Sequence, residues 1–450
     1  MSKRIGVSLL LITFVLALGV GGFWVLPHMV NALPGQVRVR LPHQILDLVT
    51  TPLPTALPAP AVAAGSTQPG IDIGTLVPSS PTPTVPATFT PAAIVETLPA
   101  AGTATSAPPT ATPSPAPSAT PSAIPLPPAA RIEGLVIAPQ QLNNCGPTTL
   151  SINLNFYSLE TTQLDVVNVL KPNYDDRNVS PWELHYYVVS QTPLLATFHS
   201  GGDLTLLKRL IATGFPVIIE KGLLPSEREG WMGHYLTLFG YDDGRQEFDT
   251  MDTLLGPWDS SGRPVGYEEV SRYWQHFNYT FLVVYRPEQE AAVQAILGPD
   301  FLEPAAMWQQ AARLAQAEVD AEPGNAFAWF NLGTSLTHLG ELTGEVAFYE
   351  NAAAAFDQAR TIGLPPRMLW YQFQPYVAYL AVGRYDDVFT LGNATAAGQA
   401  GRYVEETYLY LGHARLAQGD VEGARAAYQQ AIDLNPNFRE AQQALAELGN

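Results

Sequence analysis

The chain has 450 residues, more than one ordinary domain takes up, so two or three folded units are expected. A net charge of -18 with no basic stripe excludes phosphate-backbone recognition, and no nucleic-acid partner is expected. A single cysteine excludes a disulfide framework within the chain and any Cys-based zinc site.

In chain order, Lys3 and Arg4 precede an uncharged apolar run from Ile5 to Leu26. That run is long enough for a membrane-spanning helix. The basic pair should stay cytoplasmic and place all that follows outside. Residues 1–28 are thus expected to be a cytoplasmic start and signal anchor, single-pass in the cell membrane. The competing reading is a signal peptide cleaved near Ala32. Residues 29–130 are expected to be a linker. From residue 51 it is Pro, Thr, Ala and Ser with only Asp72 and Glu96 charged. Such composition has too little apolar bulk to offset the entropy of ordering, and predicts an extended stalk. About 75 residues at roughly 3.1 Å each reach on the order of 200 Å.

Mixed helix and strand patterns mark a domain over 131–299. Within Gln140-Gln141-Leu142-Asn143-Asn144-Cys145-Gly146-Pro147-Thr148-Thr149-Leu150, the Asn pair reads as a turn and Pro147 suits the first turn of a helix. Cys145 then sits at a helix N-terminus, where free N–H groups and the macrodipole favour a thiolate. A thiolate is the form that attacks a carbonyl.

His234-Tyr235-Leu236-Thr237-Leu238-Phe239-Gly240-Tyr241 alternates like a strand. Asp242-Asp243-Gly244 reads as a three-residue hairpin loop with Gly244 left-handed, and Gln246 to Asp252 as the returning strand. Placing Tyr241 opposite Arg245 puts His234 opposite Asp252 on the same face, with Asp249 on the other. Asp252 can then orient the imidazole, and a one-residue slip would undo this.

These segments resemble the papain-like cysteine peptidases of the bacteriocin-leader-processing, double-glycine type in their stand-alone form. The resemblance covers residues 135–290. It implies an α+β papain-like domain with Cys145, His234 and Asp252 as a triad. It further implies that Gln140, or alternatively Gln141, donates to the oxyanion beside the Cys145 amide. Relatives often carry Asp-Pro where this chain has Asp252-Thr253. Cysteine peptidase chemistry of this kind acts on peptide or protein substrates and calls for no cofactor or metal. The structural alternatives are plain. Cys145 alone fits a core residue. His185 and His276 lie in helical, aromatic-rich segments and read as structural; His199 has no metal-ligand spacing to its neighbours. Trp182, Trp231, Trp258 and Trp274 suit core and cleft wall. No Gly-x-x-x-x-Gly-Lys-Ser/Thr motif is present. A catalytically silent binding or scaffold module at the envelope is the alternative function.

Over 300–450 small and aromatic residues recur with helical spacing. Trp329, Leu332, Gly333, Leu336, Gly340, Ala355, Phe356, Ala359 and Pro365 are echoed by Tyr408, Leu411, Gly412, Ala414, Gly419, Ala424, Ala427, Tyr428, Ala431 and Pro436. This resembles tetratricopeptide repeats, all-α units that stack into a protein-binding surface. The first repeat carries an insertion around 341–350, and the middle one, around 370–401, is degenerate. The competing reading is a helical stabiliser of the preceding domain.

Overall fold

The computed structural model describes residues 56–60, 126–225, 229–398 and 400–449. The expected membrane span at 5–26 and most of the expected stalk lie outside them. Among the described residues no helix is long and apolar enough to cross a membrane.

The first folded unit is a seven-stranded antiparallel sheet with helices on both faces. Its elements are β1 (Ala129–Arg131), α1 (Cys145–Phe156), α2 (Gln163–Leu170), α3 (Pro181–Gln191), β2 (Leu195–His199), α4 (Leu204–Ala212), β3 (Val217–Leu223), β4 (Met232–Asp242), β5 (Glu247–Met251), β6 (Arg263–Gly266), α5 (Tyr267–Gln275) and β7 (Phe281–Tyr285). The strands run β2-β7-β3-β4-β5-β6, with β1 also on β4. Ile218, Tyr235, Leu282 and Val284 meet α1, α2 and α3 on one face. Val217, Ile219, Leu236 and Val283 meet α4 and α5 on the other. This is the period-two alternation of a sheet covered on both sides.

The β4–β5 hairpin corrects the expected register. The turn holds four residues rather than three, and the left-handed residue is Gln246 (φ 57°), not Gly244. The Asp242 carboxylate drives it, accepting the N–H groups of Gly244 and Arg245 at 2.8 and 3.1 Å. Asp242 therefore pairs with Glu247 and Tyr241 with Phe248. That change alone would turn Asp252 to the wrong face. A bulge between Leu238 and Gly240 shifts the pairing again, to Leu238 with Thr250 and Thr237 with Met251. The extra residue restores the parity. His234 does not lie directly opposite Asp252, because the ladder ends with Met251 opposite Thr237, three residues short of His234. Asp252 instead reaches it from just past the strand end.

Short helices α6 (Glu290–Leu297) and α7 (Pro299–Leu302) lead into the helical module. It comprises α8 (Pro304–Ala321), α9 (Ala326–Thr343), α10 (Val346–Ile362), α11 (Gln374–Ala381), α12 (Tyr385–Ala397), α13 (Glu405–Ala417), α14 (Val421–Leu434) and α15 (Arg439–Glu447). The supposed insertion at 341–350 is the end of α9, a turn with Gly344 left-handed, and the start of α10. The degenerate stretch has a shorter first helix, α11, preceded by an irregular 364–373 loop. Gly333 and Gly412 exist for packing: a Cβ would lie 2.7 Å from Phe356 and 2.3 Å from Tyr428.

No sharp boundary falls at 300. Phe301 and Met307 belong to the sheet-domain core, while Ala312 and Ala315 of the same α8 belong to the helical core. The two units touch along the length of the module. Asn331 and Ser335 of α9 bond to Gln275 and Asn278. Arg367 and Gln372 bond to the carbonyls of Glu229 and His276. Asn435 and Asn437 bond to the carbonyls of Leu170 and Val169.

The linker expectation over 29–130 also needs correction at two points. Pro127 and Pro128 accept bonds from the Tyr241 hydroxyl and the Asp243 amide, so the fold begins before residue 131. Residues 56–60 pack on the helical module, with Leu57 in its core. Local composition gave too little apolar bulk for self-folding, but not too little to dock on another surface.

Candidate active site

The loop before α1 is held by one side chain. Gln163 Oε1 accepts from the Gln141 amide (2.8 Å), Asn144 Nδ2 (3.2 Å) and the Thr148 hydroxyl (3.1 Å), while its Nε2 donates to Pro139 O. Asn143 adopts the left-handed conformation (φ 58°), and Cys145 becomes the first residue of α1. Two bonds fix α1 to β4 on either side of the Tyr235 register. Thr149 Oγ1 donates to Tyr235 O at 3.3 Å, and Asn153 Nδ2 to Thr237 Oγ1 at 2.7 Å. The helix start is thereby placed beside His234.

Cys145 is half-buried and hydrogen-bonded to His234. His234, 2% exposed, has Nε2 at 3.0 Å from Asp252 Oδ1. Nδ1 is the ring nitrogen left for the thiol. Asp252 Oδ1 also accepts the Leu254 and Leu255 amides at 2.9 and 2.8 Å, which fixes the carboxylate. Burial pushes the Asp252 carboxyl up, but the His234 charge and hydrogen bond outweigh it and hold it down at about 2. Burial pushes His234 down; the Asp252 charge and hydrogen bond, with Cys145, carry it up to about 9. Burial likewise opposes the Cys145 thiolate. The hydrogen bond and charge of His234, then bonds from the backbone at Tyr235 and Gly146, bring the net shift down from the ordinary thiol value. The arrangement favours a thiolate–imidazolium pair.

Gln140 and Gln141 are placed differently. Gln141 is exposed. Gln140 is 7% exposed; its amide N–H donates to Thr253 O at 3.1 Å, and its side-chain Oε1 accepts the Thr253 hydroxyl at 2.8 Å. With Oε1 engaged, Nε2 is the side-chain atom free to donate. Thr253 occupies the place where relatives often carry Pro. A Pro could not supply that hydroxyl.

Four neighbours escaped the sequence reading. Lys221 lies directly across from His234 on β3, 3% exposed, with its charge favoured by Asp252 and opposed more strongly by burial. Glu220, 4% exposed, is hydrogen-bonded to Tyr235; burial keeps its carboxyl well above the usual range. Thr253 is the third, noted in the sequence only as a departure from Asp-Pro and not as the partner of Gln140. Tyr371, from the 364–373 loop of the helical module, bonds to the backbone of Gly233, and burial pushes its hydroxyl up to about 12. The only hint of the first two was a Glu-Lys pair closing the apolar run Val217-Ile218-Ile219, in a strand buried along its whole length. Nothing local to Tyr371 signalled its position.

The remaining candidates serve packing. His276 accepts from Trp231 Nε1 at 2.9 Å and stacks on Phe327 at 3.6 Å; burial drops it to about 3. Trp231 stacks on Phe277 within the sheet domain and meets Phe327 and Tyr371 of the helical module, joining the two units. Trp182 is 37% exposed and contacts Phe373. Trp274 is fully buried. His185 and His199 face Phe198 and Phe281. Among the described residues, no group of three His, Cys, Asp or Glu is placed to hold a metal ion.

Comparisons with known proteins agree with the domain order. Residues 131–281 match the Peptidase C39-like family, and residues 405–438 match the tetratricopeptide repeat. A solved structure from Bacillus anthracis, described as a C39-like peptidase, is 16% identical. It covers 35% of this chain and 98% of that chain, with a TM-score of 0.30. A comparison with curated proteins gave no match. By the two family matches, a mixed α/β domain similar to C39-type peptidases is followed by a helical region similar to tetratricopeptide repeats.

Proposed function

We propose that this protein is a cysteine peptidase that hydrolyses peptide bonds through Cys145, His234 and Asp252, held outside a membrane by its N-terminal apolar segment. The observation that carries the catalytic reading is the buried 3.0 Å contact between His234 Nε2 and Asp252 Oδ1, with Cys145 on the other side of the ring. His234 holds Cys145 as a thiolate, which attacks the peptide carbonyl. Gln140 Nε2 and the Cys145 amide receive the oxyanion. The imidazolium protonates the leaving amine, and water then releases the acyl group. The run from Ile5 to Leu26 behind Lys3 and Arg4 supports the anchoring.

The repeats are proposed to bind protein. Their first partner is the chain's own peptidase domain, and Tyr371, bonded to the backbone of Gly233 beside His234, brings them to the site.

Iodoacetamide labelling across pH 4 to 9, read by intact mass, tests the nucleophile. The wild type should label with a midpoint well below the ordinary thiol value of about 8.5, and His234→Ala should lose that midpoint. An ordinary midpoint unchanged by the substitution would sink the peptidase and leave the binding module.

A further inference from the structure

Residues 56–60 read Ala-Leu-Pro-Ala-Pro and lie in an extended strap across the helical module. An extended Pro-rich segment has three residues per turn, so residues three apart share a face. Leu57 and Pro60 are the buried pair, while Ala59 faces solvent. Leu57, 6% exposed, enters an apolar pocket between Phe330, Phe356, Leu364, Leu369 and Leu391. The fit leaves no space there for a water molecule.

The backbone is held as well. The Leu57 amide donates to Leu364 O at 3.0 Å. Arg360 Nε donates to Pro58 O at 2.9 Å. Arg360 is itself fixed, with Nη1 on Asp387 Oδ1 at 2.7 Å and on the Tyr379 hydroxyl at 2.9 Å. Its side chain is 1% exposed, and Nη2 has no partner among the described residues. A buried arginine aimed at a peptide carbonyl, beside a shaped apolar pocket, is a way of reading an extended segment.

The sequence explains which segment docks. Leu-Pro steps also occur at Leu26, Leu33, Leu41, Leu53, Leu98, Leu126, Leu224 and Leu364. Of these and Leu57, only Leu57 has a Pro three residues on, at Pro60. That spacing supplies both buried positions.

We propose that the helical module carries a docking pocket for an extended Leu-Pro-x-Pro segment, and that residues 57–60 fill it in cis as a latch. The latch fixes the N-terminal chain on the helical module. Residues 61–125 then close a loop back to β1. The spacer between the expected anchor and the folded body shortens from residues 29–130 to residues 29–56, from on the order of 300 Å to on the order of 90 Å at full polyproline extension. A tethered segment competes at an effective concentration on the order of millimolar, so a free peptide meets an occupied pocket in the wild type.

The test titrates a fluorescent peptide of residues 53–60 onto the full-length chain in mild detergent, read by anisotropy. Leu57→Asp in the protein should raise peptide affinity at least about tenfold over wild type. A peptide carrying the same change should not bind. Thermal unfolding checks that the variant folds, and Pro60→Ser, which leaves Leu57 in place, should show a smaller gain should it not. No binding to a folded Leu57→Asp chain overturns the pocket. Binding to wild type as tight as to the variant overturns the latch.

Discussion

The sheet domain and the helical module solve different problems. In the sheet domain, four candidate side chains come from Gln140, Cys145, His234 and Asp252, more than a hundred residues apart at the extremes. They meet because strand register, a bulge and two α1–β4 hydrogen bonds agree. In the module, each helix pair packs on the next in sequence, and small residues such as Gly412 set the spacing. Function concentrated in a few atoms needs long-range precision. A stacked surface needs only a repeated local fit. Perturbations should therefore be sharp in the first region and confined in the second.

The largest expected break of that contrast is Asp252→Asn. It keeps an oxygen for the Leu254 and Leu255 amides but removes the charge that raises His234. His234 then falls from about 9 toward or below its ordinary value. The thiolate loses its counter-ion, and Cys145 rises because burial now dominates. Iodoacetamide labelling at pH 7 should slow on the order of 10²-fold, with its midpoint shifted upward. Equal labelling rates would show that Asp252 does not act through His234.

Thr253→Val should be smaller and more selective. The methyl replaces the hydroxyl that holds Gln140 Oε1 at 2.8 Å. Removing an oxyanion donor outright costs about 10²–10³ in turnover, so releasing its orientation should cost roughly tenfold. Peptide hydrolysis and capture of peptide aldehydes should weaken, while iodoacetamide labelling, which forms no oxyanion, stays unchanged. Thr253→Ser should restore both. A parallel loss of alkylation would mean that the site had simply collapsed.

The contrast also decides what was legible in the sequence. Cys145 and His234 were readable because each sits in a local pattern, a turn into a helix and an alternating strand. Asp252 was reached by a register argument whose turn and pairing were both wrong, although the contact it predicted with His234 is made. The four-residue turn and the bulge at Phe239 each moved the pairing, and together they preserved the face. Gly240 was the available hint: a Cβ there would lie 2.7 Å from Asp249 Oδ2. Tyr371 and Leu57 were not readable. Both owe their places to partners far away in the chain, and neither is part of a periodic pattern.

In the helical module, Gly412→Ala should act locally. The added methyl would approach Tyr428 to 2.3 Å, inside any real contact distance. Overpacking of this kind costs about 1–3 kcal/mol. Hydrogen exchange should quicken in α13 to α15, with the amides of β3 and β4 unaffected. Loosening of the sheet domain as well would show that the two regions are one cooperative unit.

The smallest effect probes the seam between the regions. Asp176 and Glu183 of the sheet domain face Glu405 and Glu406 of the module, with Lys171 as the nearest cation and Glu440 adding to the negative field. Burial raises all four carboxyls, Glu183 to about 8. An acid whose folded pKa exceeds its unfolded one binds more protons when folded. Its stabilising contribution is therefore present at low pH and lost as pH climbs from about 4.3, the unfolded value, through the folded value. The unfolding midpoint should fall between pH 5 and pH 8. Glu183→Gln keeps the shape and removes one titration, so that fall should shrink by an amount on the order of 1 kcal/mol in stability. The Ser180 amide, which donates to Glu183 Oε2 at 2.7 Å, can be served by the glutamine oxygen. Identical slopes in the two proteins would mean that the seam is wet and the carboxylates ordinary. A flatter slope would place the pH-sensitive step of the whole chain where its long-range and its local architecture meet.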